Sequence, residues 1–341
     1  MSRVVVIGGG VIGCAIAERL SLERHQVTLL ERDQLGSRAS GAAAGELSPT
    51  PTSHASPALA GEGERSLAMF PELVARIERD GAMNVEYRIQ QGLQPAFNEE
   101  EADTLRGRHG HWLDGAACRE AEPSLSRDVV GANLIEHAHL TPPRFVHALA
   151  RAAAAHGADI EEGTPAIGFD VSGGEVHRVV TASGTRETDW AVIAAGPWTR
   201  EVASTAGLDV DVRPQRGQLA ALDPGAVPLR RSIFWSSGYL VPKADGTIIA
   251  GGTEEDSGFD DRPTVAGIAS LLAFACRLVP DLAAATLLRT WAGLRPLTPG
   301  AEPIVGAIGV PNLVIATGHH RKGILLAPLA ATQVAAIIAK G

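Results

Sequence analysis

The chain has 341 residues, 45% of them hydrophobic, and a formal net charge of −9. That length suits two domains or one large α/β unit, and the composition excludes a disordered chain. The acidic balance argues against nucleic acid and anionic membranes as partners. Cys14, Cys118 and Cys276 lie far apart without Cys-x-x-Cys or metal-ligand spacing, so a reduced, cytoplasmic protein with free thiols is expected. The N-terminus reads as a strand rather than a signal peptide, and no run approaches ~20 uninterrupted apolar residues.

The first elements are the most informative. Val4-Val5-Val6-Ile7 is a β-branched strand, and Gly8-Gly9-Gly10-Val11-Ile12-Gly13 follows at once. A helix with Cys14, Ile16, Ala17 and Leu20 on its apolar face comes next, then a strand Val27-Thr28-Leu29-Leu30 ending in Glu31. Strand, glycine turn, helix, strand and acid are the parts of a dinucleotide-binding unit. Gly8 allows the tight turn, Gly10 lets backbone approach a pyrophosphate, and Gly13 lets the helix pack on the sheet. The helix N-terminus offers N–H groups to phosphate. Glu31 stands where a carboxylate accepts from a ribose diol, which favours FAD or NAD over NADP.

Arg38-Ala39-Ser40-Gly41-Ala42-Ala43-Ala44-Gly45 is dense in small residues and permits close approach of backbone or a flat ligand. Pro and Ser mark a loop from Ser48 to Pro57. A helix is predicted over 61–79, with Leu67, Phe70, Leu73, Val74 and Ile77 apolar. From Val85 to His139 the βαβ alternation stops: strands are expected at 87–90 and 132–135, short helices at 99–105 and 117–121. Alternation returns with a helix opened by Pro143 and ended by Gly157. Strands follow at 159–161 and 176–181, and Trp190-Ala191-Val192-Ile193-Ala194-Ala195-Gly196 reads as a strand covered on both faces. Residues 212–293 return to the mixed pattern, with strands at 217–222, 238–242 and 247–252 and a helix over 264–278 ending before Pro280. A strand at 313–316, a glycine turn and a helix over 323–339 close the chain. One half is thus expected in three segments, 1–84, 142–212 and 294–341, with 85–141 and 213–293 forming the inserted half.

Three late segments carry chemistry. In Trp291-Ala292-Gly293-Leu294-Arg295-Pro296-Leu297-Thr298-Pro299 an arginine between glycine- and proline-bearing turns presents a rigid guanidinium, suited to a bidentate grip on a carboxylate. In Gly238-Tyr239-Leu240-Val241-Pro242 a strand presents a phenol able to reach the same group. In Thr317-Gly318-His319-His320-Arg321-Lys322-Gly323 a glycine turn opens a helix and places N–H donors and a positive helix end together. His319 and His320 lack a carboxylate cluster and are not expected to bind metal.

These motifs, with Ala194-Ala195-Gly196-Pro197-Trp198 and Gly323-Ile324-Leu325-Leu326-Ala327-Pro328, resemble those of the FAD-dependent amine oxidases of the D-amino-acid oxidase superfamily. The pattern is most similar to the glycine-oxidase family within it, the thiamine-pathway enzymes that supply glycine imine for the thiazole. The resemblance spans about residues 3–339. It implies an α/β fold: a Rossmann-like FAD-binding domain with an inserted mixed α+β substrate domain. It implies that Tyr239, Arg295 and Arg321 hold the substrate carboxylate. It implies FAD contacts from Gly8, Gly10, Val11, Ile12, Gly13, Glu31, Arg32, Ala39, Ser40, Ala44, Gly45, Glu46, Ala166, Gly196, Trp198, Gly318, His320, Arg321, Lys322, Gly323 and Ile324.

The chain departs from the family at three places. Arg-Asn-Gly is Arg321-Lys322-Gly323 here, a frequent methionine is Glu46, and a histidine two residues before the tyrosine is Ser237. Related sarcosine oxidases hold FAD through a cysteine near the Arg295 region; Cys276 is far upstream, so non-covalent FAD is expected. The resemblance implies oxidation of glycine and other small amines: hydride passes from Cα to flavin N5, giving an imine, then oxo-acid and ammonia, and hydrogen peroxide from oxygen. A broader D-amino-acid oxidase, a dehydrogenase serving a quinone and a sarcosine-type amine oxidase are alternatives, as are an NAD-binding dehydrogenase and a non-catalytic flavin-fold protein. The expected partners are a small amino acid or amine and oxygen, with no nucleic acid or membrane; a homo-oligomer is compatible with this reading.

Overall fold

The computed structural model describes residues 1–49, 57–108 and 110–341. Most of the loop expected between Ser48 and Pro57, from 50 to 56, lies outside the described residues. The chain divides into two compact units: 1–87, 140–215 and 294–341 in one, 88–139 and 216–293 in the other.

The first unit is built on a six-stranded sheet. Its order is Ile304–Ala307, Leu313–Thr317, Trp190–Ile193, Arg3–Ile7, Gln26–Leu30 and Asp159–Glu161. All neighbouring pairs are parallel except Ile304–Ala307 on Leu313–Thr317, which is antiparallel. The central strands are continuous apolar runs because both faces are covered. Val4, Val5, Val6, Ala191, Val192, Ile193, Leu313, Val314 and Ile315 are all buried. On one side Val5, Ile7, Ile193 and Ile315 join Val176, Val179 and Val210 in one apolar cluster.

Helix Val11–Leu22 is buried on almost every side: Cys14, Ile16, Ala17 and Leu20 are joined by Glu18 and Ser21. It packs against helices Pro142–Ala155 and Gly323–Ile338. A charge so placed must be paired. Glu18 accepts from Arg76 Nε at 2.7 Å and Nη2 at 3.2 Å, and Arg76 lies on helix Pro57–Asp80.

Helix Gly323–Ile338 contains Pro328, which cannot donate to the carbonyl four residues earlier. Ser66 Oγ donates to the Leu325 carbonyl at 2.6 Å, beside that break. Taken from His320, this helix is long and apolar enough to cross a membrane, yet more than half of it is buried inside the protein. Its packing on helices Val11–Leu22 and Pro57–Asp80 makes it a core helix.

A separate three-stranded antiparallel sheet, Gly184–Glu187, Glu175–Thr181 and Ala166–Ser172, completes the first unit. Its first hairpin turns at Gly173-Gly174, both with positive φ (61° and 86°), the conformation a two-residue hairpin needs.

The second unit has a mixed sheet in which Thr286–Leu297, Arg213–Asp223, Ile248–Gly251, Gly238–Pro242, Ile233–Trp235, Arg88–Ala96 and Gly131–His139 follow one another. Leu93, Ala132, Leu222, Ile233, Leu240, Ile248 and Ala250 from these strands form one core with Ala275 and Leu278 of helix Val265–Leu278. The mixed α+β character expected of the inserted segments is present.

Candidate functional site

Strands Arg3–Ile7, Trp190–Ile193 and Leu313–Thr317 run parallel side by side, so the turns after them meet at one edge of the sheet. From Arg3–Ile7 the chain passes to Gln26–Leu30 on one side, while Trp190–Ile193 flanks it on the other. This is a topological switch point, the place where open α/β sheets bind ligands.

The glycine turn is shaped by contact. Gly8 has φ 113°, and a Cβ there would lie 2.5 Å from the Ala194 carbonyl oxygen. A Cβ on Gly13 would run into the Gly8 carbonyl oxygen. Gly10 is different: its backbone is extended (φ −76°, ψ 179°), and the nearest atom to an added Cβ is Ser40 Oγ at 3.2 Å. As N-cap it brings no side chain to the helix end. Ser40, on the short helix Ala39–Ala42, supplies the cap from afar, its hydroxyl accepting from Val11 N at 2.9 Å. Ile12 and Gly13 complete the first turn, whose N–H groups lack intrahelical partners. Glu31 closes the loop from the next strand. It is 8% exposed, and its two oxygens accept from Gly9 N at 2.6 Å and Asp33 N at 2.8 Å.

Around this turn the structure gathers Arg32, whose guanidinium lies 4.0 Å above the Trp198 ring. Trp198 ends the turn Gly196–Trp198, entered through Gly196 at φ 55°. The Gly196 carbonyl accepts from both Thr199 Oγ1 (2.8 Å) and Thr317 Oγ1 (2.9 Å), which ties two of the three strand ends together. Ala44 and Gly45 are buried, and a Cβ on Gly45 (φ 91°) would strike the Leu140 carbonyl oxygen. Glu46 follows in the two-residue strand Glu46–Leu47. Ala166 opens strand Ala166–Ser172 and packs on the apolar cluster that holds Ile7 and Ile193.

The third turn runs from Gly318 (φ 78°) through His320–Lys322 into helix Gly323–Ile338, with Ile324 buried in its first turn. His320 Nε2 is 2.6 Å from Gln215 Oε1. Lys322 Nζ donates to the Ser48 carbonyl at 2.6 Å. Burial, and after it the neighbouring Arg321 charge, lower the Lys322 pKa to about 8 against the opposing charge of Glu46. His319 is buried and its Nδ1 makes no hydrogen bond; burial pulls its pKa down to about 4, so its ring is neutral. Gln215, Thr199 and Thr317 escaped the sequence reading, because a single Gln or Thr carries no local signal of its distant partner.

Arg295 sits differently from expectation. It is not held between turns but lies, half-buried, inside the twelve-residue strand Thr286–Leu297. That strand ends its sheet's order, and an edge strand tolerates Pro296 where an inner one would not. Tyr239 stands in strand Gly238–Pro242 of the second unit, opposite Gly251. A Cβ on Gly251 would lie 2.6 Å from the Tyr239 ring, so the phenol rests on bare backbone.

A family model described as FAD dependent oxidoreductase matches residues 3–337. The chain belongs to that family. Glycine oxidase from Geobacillus kaustophilus is 33% identical over 98% of this chain and 92% of its own length. The bifunctional protein ThiO/ThiG of Nostoc sp. is 36% identical over 98% of this chain. The chain spans about half the length of the ThiO/ThiG relatives it matches. Among solved structures, the glycine oxidase of Geobacillus kaustophilus aligns with a TM-score of 0.92 at 32% identity, covering 100% of this chain and 95% of that one. That of Bacillus cereus aligns at 0.93 and 31%, covering 100% and 98%. As an FAD-dependent oxidoreductase with a Rossmann-like domain, the chain has FAD, not NAD, as its cofactor.

Proposed function

We propose that this flavoprotein is an oxidase of glycine and other small amines. The observation that carries the reading is the full-length match to glycine oxidases at 31–33% identity.

The cradle fits the cofactor. The bare N-cap at Gly10 and the first-turn N–H groups suit a pyrophosphate. Glu31 spends one lone pair of each oxygen on backbone, and an ionised carboxylate has about four acceptor positions. A ribose diol can use the others. The residues assigned to FAD are Gly8, Gly10, Val11, Ile12, Gly13, Glu31, Arg32, Ala39, Ser40, Ala44, Gly45, Glu46, Ala166, Gly196, Trp198, Gly318, His320, Arg321, Lys322, Gly323 and Ile324, all of the first unit.

Held by these residues, FAD would supply a two-electron acceptor for the hydride of the substrate Cα, with oxygen taking the electrons as peroxide and the imine product hydrolysing to oxo-acid and ammonia. The protein's part is placement. Arg295 and Arg321, both of the first unit, are assigned to the substrate carboxylate, which would fix Cα, and reactive distances are ~3–3.5 Å; the family resemblance adds Tyr239 to that role. No acid–base side chain is required once the amine is neutral. The FAD-loaded protein is tested with glycine, sarcosine and D-alanine, measuring peroxide. Peroxide from glycine supports the proposal. Dye reduction without peroxide points to a dehydrogenase, and no turnover of any amine removes the reading.

A further inference from the structure

Strand Ile248–Gly251 is an inner strand. It lies between Arg213–Asp223 and Gly238–Pro242, with Gly251 opposite Leu219 on one side and Tyr239 on the other. Side chains alternate between the faces of such strands. Leu240 and Ala250 enter the apolar core, so Tyr239 and position 251 share the opposite face. A glycine inside a strand weakens it, and often marks a close approach. Gly251 does not have a left-handed φ, so what its missing side chain provides is space. A Cβ there would lie 2.6 Å from Tyr239 Cε2 and 2.7 Å from both Cζ and the hydroxyl oxygen. The phenol therefore lies over position 251 as far as its hydroxyl. Phe234, opposite Tyr239 on the next strand, lies over a glycine of its own: a Cβ on Gly92 would be 2.8 Å from Phe234 Cε2. Each ring fills the gap that a glycine leaves on its own side, so the two lean apart.

We propose that Gly251 is a positioning residue for the substrate carboxylate, acting through Tyr239: its bare backbone sets where the phenol hydroxyl stands. The inference rests on the assignment of Tyr239 to the carboxylate and adds the residue that places it. The backbone of Gly251 is laddered to strands on both sides, whereas the phenol is the far end of a rotatable side chain. A methyl group at 251 therefore moves the ring, not the sheet. Non-bonded carbon atoms in contact are ~3.5–4.0 Å apart, so the ring has to withdraw by about 1 Å. An O–H···O bond spans about 2.5–3.0 Å, and a withdrawal of that size breaks it.

The test uses the FAD-loaded protein and acetate, in a double-mutant cycle of Gly251→Ala and Tyr239→Phe. The Kd of acetate is read from the perturbed visible spectrum of the bound cofactor. Tyr239→Phe removes the hydroxyl and should raise Kd about tenfold or more, the worth of one hydrogen bond to a charged group. Gly251→Ala should raise it by a similar factor, while melting stays within about 2 °C of the parent. In the Tyr239→Phe background Gly251→Ala should change Kd by less than about twofold, because no hydroxyl remains to be displaced. An equal rise in both backgrounds, or Gly251→Ala that binds acetate like the parent, overturns the proposal and leaves Tyr239 in its role. Loss of folding in Gly251→Ala also overturns it, because the sheet and not the ring has then given way. Acetate binding that is untouched by Tyr239→Phe, or absent in the parent, overturns the carboxylate assignment itself, and this proposal with it.

Discussion

Three glycines of one turn should fail in different ways when given a methyl group. At Gly13 the added Cβ overlaps the Gly8 carbonyl oxygen, a backbone atom that cannot swing aside. Alanine gains roughly 0.5–1 kcal/mol of helix propensity there, but forced overpacking costs about 1–3 kcal/mol or more. Gly8→Ala adds a left-handed φ of 113° to a clash with Ala194. Gly10→Ala faces neither obstacle, since its φ is −76° and its neighbour is the Ser40 hydroxyl at 3.2 Å. Its cost to the fold is under about 1 kcal/mol, the scale of a changed helix cap. Its cost to the cofactor is larger, because the methyl group stands where phosphate must approach backbone. Losing one charge-assisted hydrogen bond of about 1.5–3 kcal/mol weakens FAD roughly 10- to 150-fold. Melting curves with and without FAD, and FAD affinity from flavin fluorescence, separate the cases. Gly13→Ala should melt several degrees lower, at about 2–4 °C per kcal/mol for a unit of this size. Gly10→Ala should melt like the parent without FAD and lose the rise that FAD confers. FAD affinity unchanged in Gly10→Ala, or melting as low as Gly13→Ala, would refute the division of labour.

Glu31→Gln turns one acceptor into a donor facing the Gly9 or Asp33 N–H; unfolding in urea should show a loss of about 1–3 kcal/mol, and FAD affinity should drop roughly tenfold. Arg295→Ala should raise the glycine KM by about 100-fold, the worth of a charge-assisted bidentate grip, while absorbance shows FAD content per chain unchanged. The buried His319, with its pKa near 4 against 6.5 unfolded, binds its proton in the unfolded chain first. Its contribution is full above pH 6.5 and is lost as pH falls toward 4. Urea unfolding at pH 7.5 and pH 5 should differ by about 2 kcal/mol more in the parent than in His319→Gln.

The legibility of this chain followed the locality of its signals. The glycine turn, its flanking strands and the helix after it stand in thirty-one consecutive residues, and the structure has them at Arg3–Ile7, Val11–Leu22 and Gln26–Leu30. Strand Gly238–Pro242 and helix Glu99–Arg106, capped by Asn98 on Glu101 N at 2.9 Å, were equally readable. The hairpin around Gly173-Gly174 was not recognised, although the glycine pair between Val171 and Val176 is the mark of such a turn. Strands Ile233–Trp235 and His111–Asp114 are three and four residues long and carry no periodicity. Strand Thr286–Leu297 was hidden by Gly293 and Pro296, residues that signal turns unless an edge position excuses them. The tie of Thr199 and Thr317 to one carbonyl was beyond reach, because 118 residues separate them and only the sheet order joins them.

That sheet order explains why this chain can alter its chemistry without altering its fold. The strands after Ser2, Asp189 and Asn312 are buried on both faces, and a polar residue inside them would be left without water or partner. The turns that follow them obey another constraint. They need a few glycines at fixed φ and a few tied carbonyls, and they leave the remaining side chains free to vary. Lys322 lies on such a turn and Glu46 in the short strand Glu46–Leu47, and each stands where the resembling family frequently has a neutral residue. A cation alone at the start of an apolar helix would be expelled or neutralised. Together Glu46 and Lys322 offset each other, so the pair is physically admissible where either single change is costly. Exchange of both residues, Glu46→Met with Lys322→Asn, should then leave melting unchanged. Each single exchange should lower stability by more than the double does, the signature of coupled charges in a double-mutant cycle.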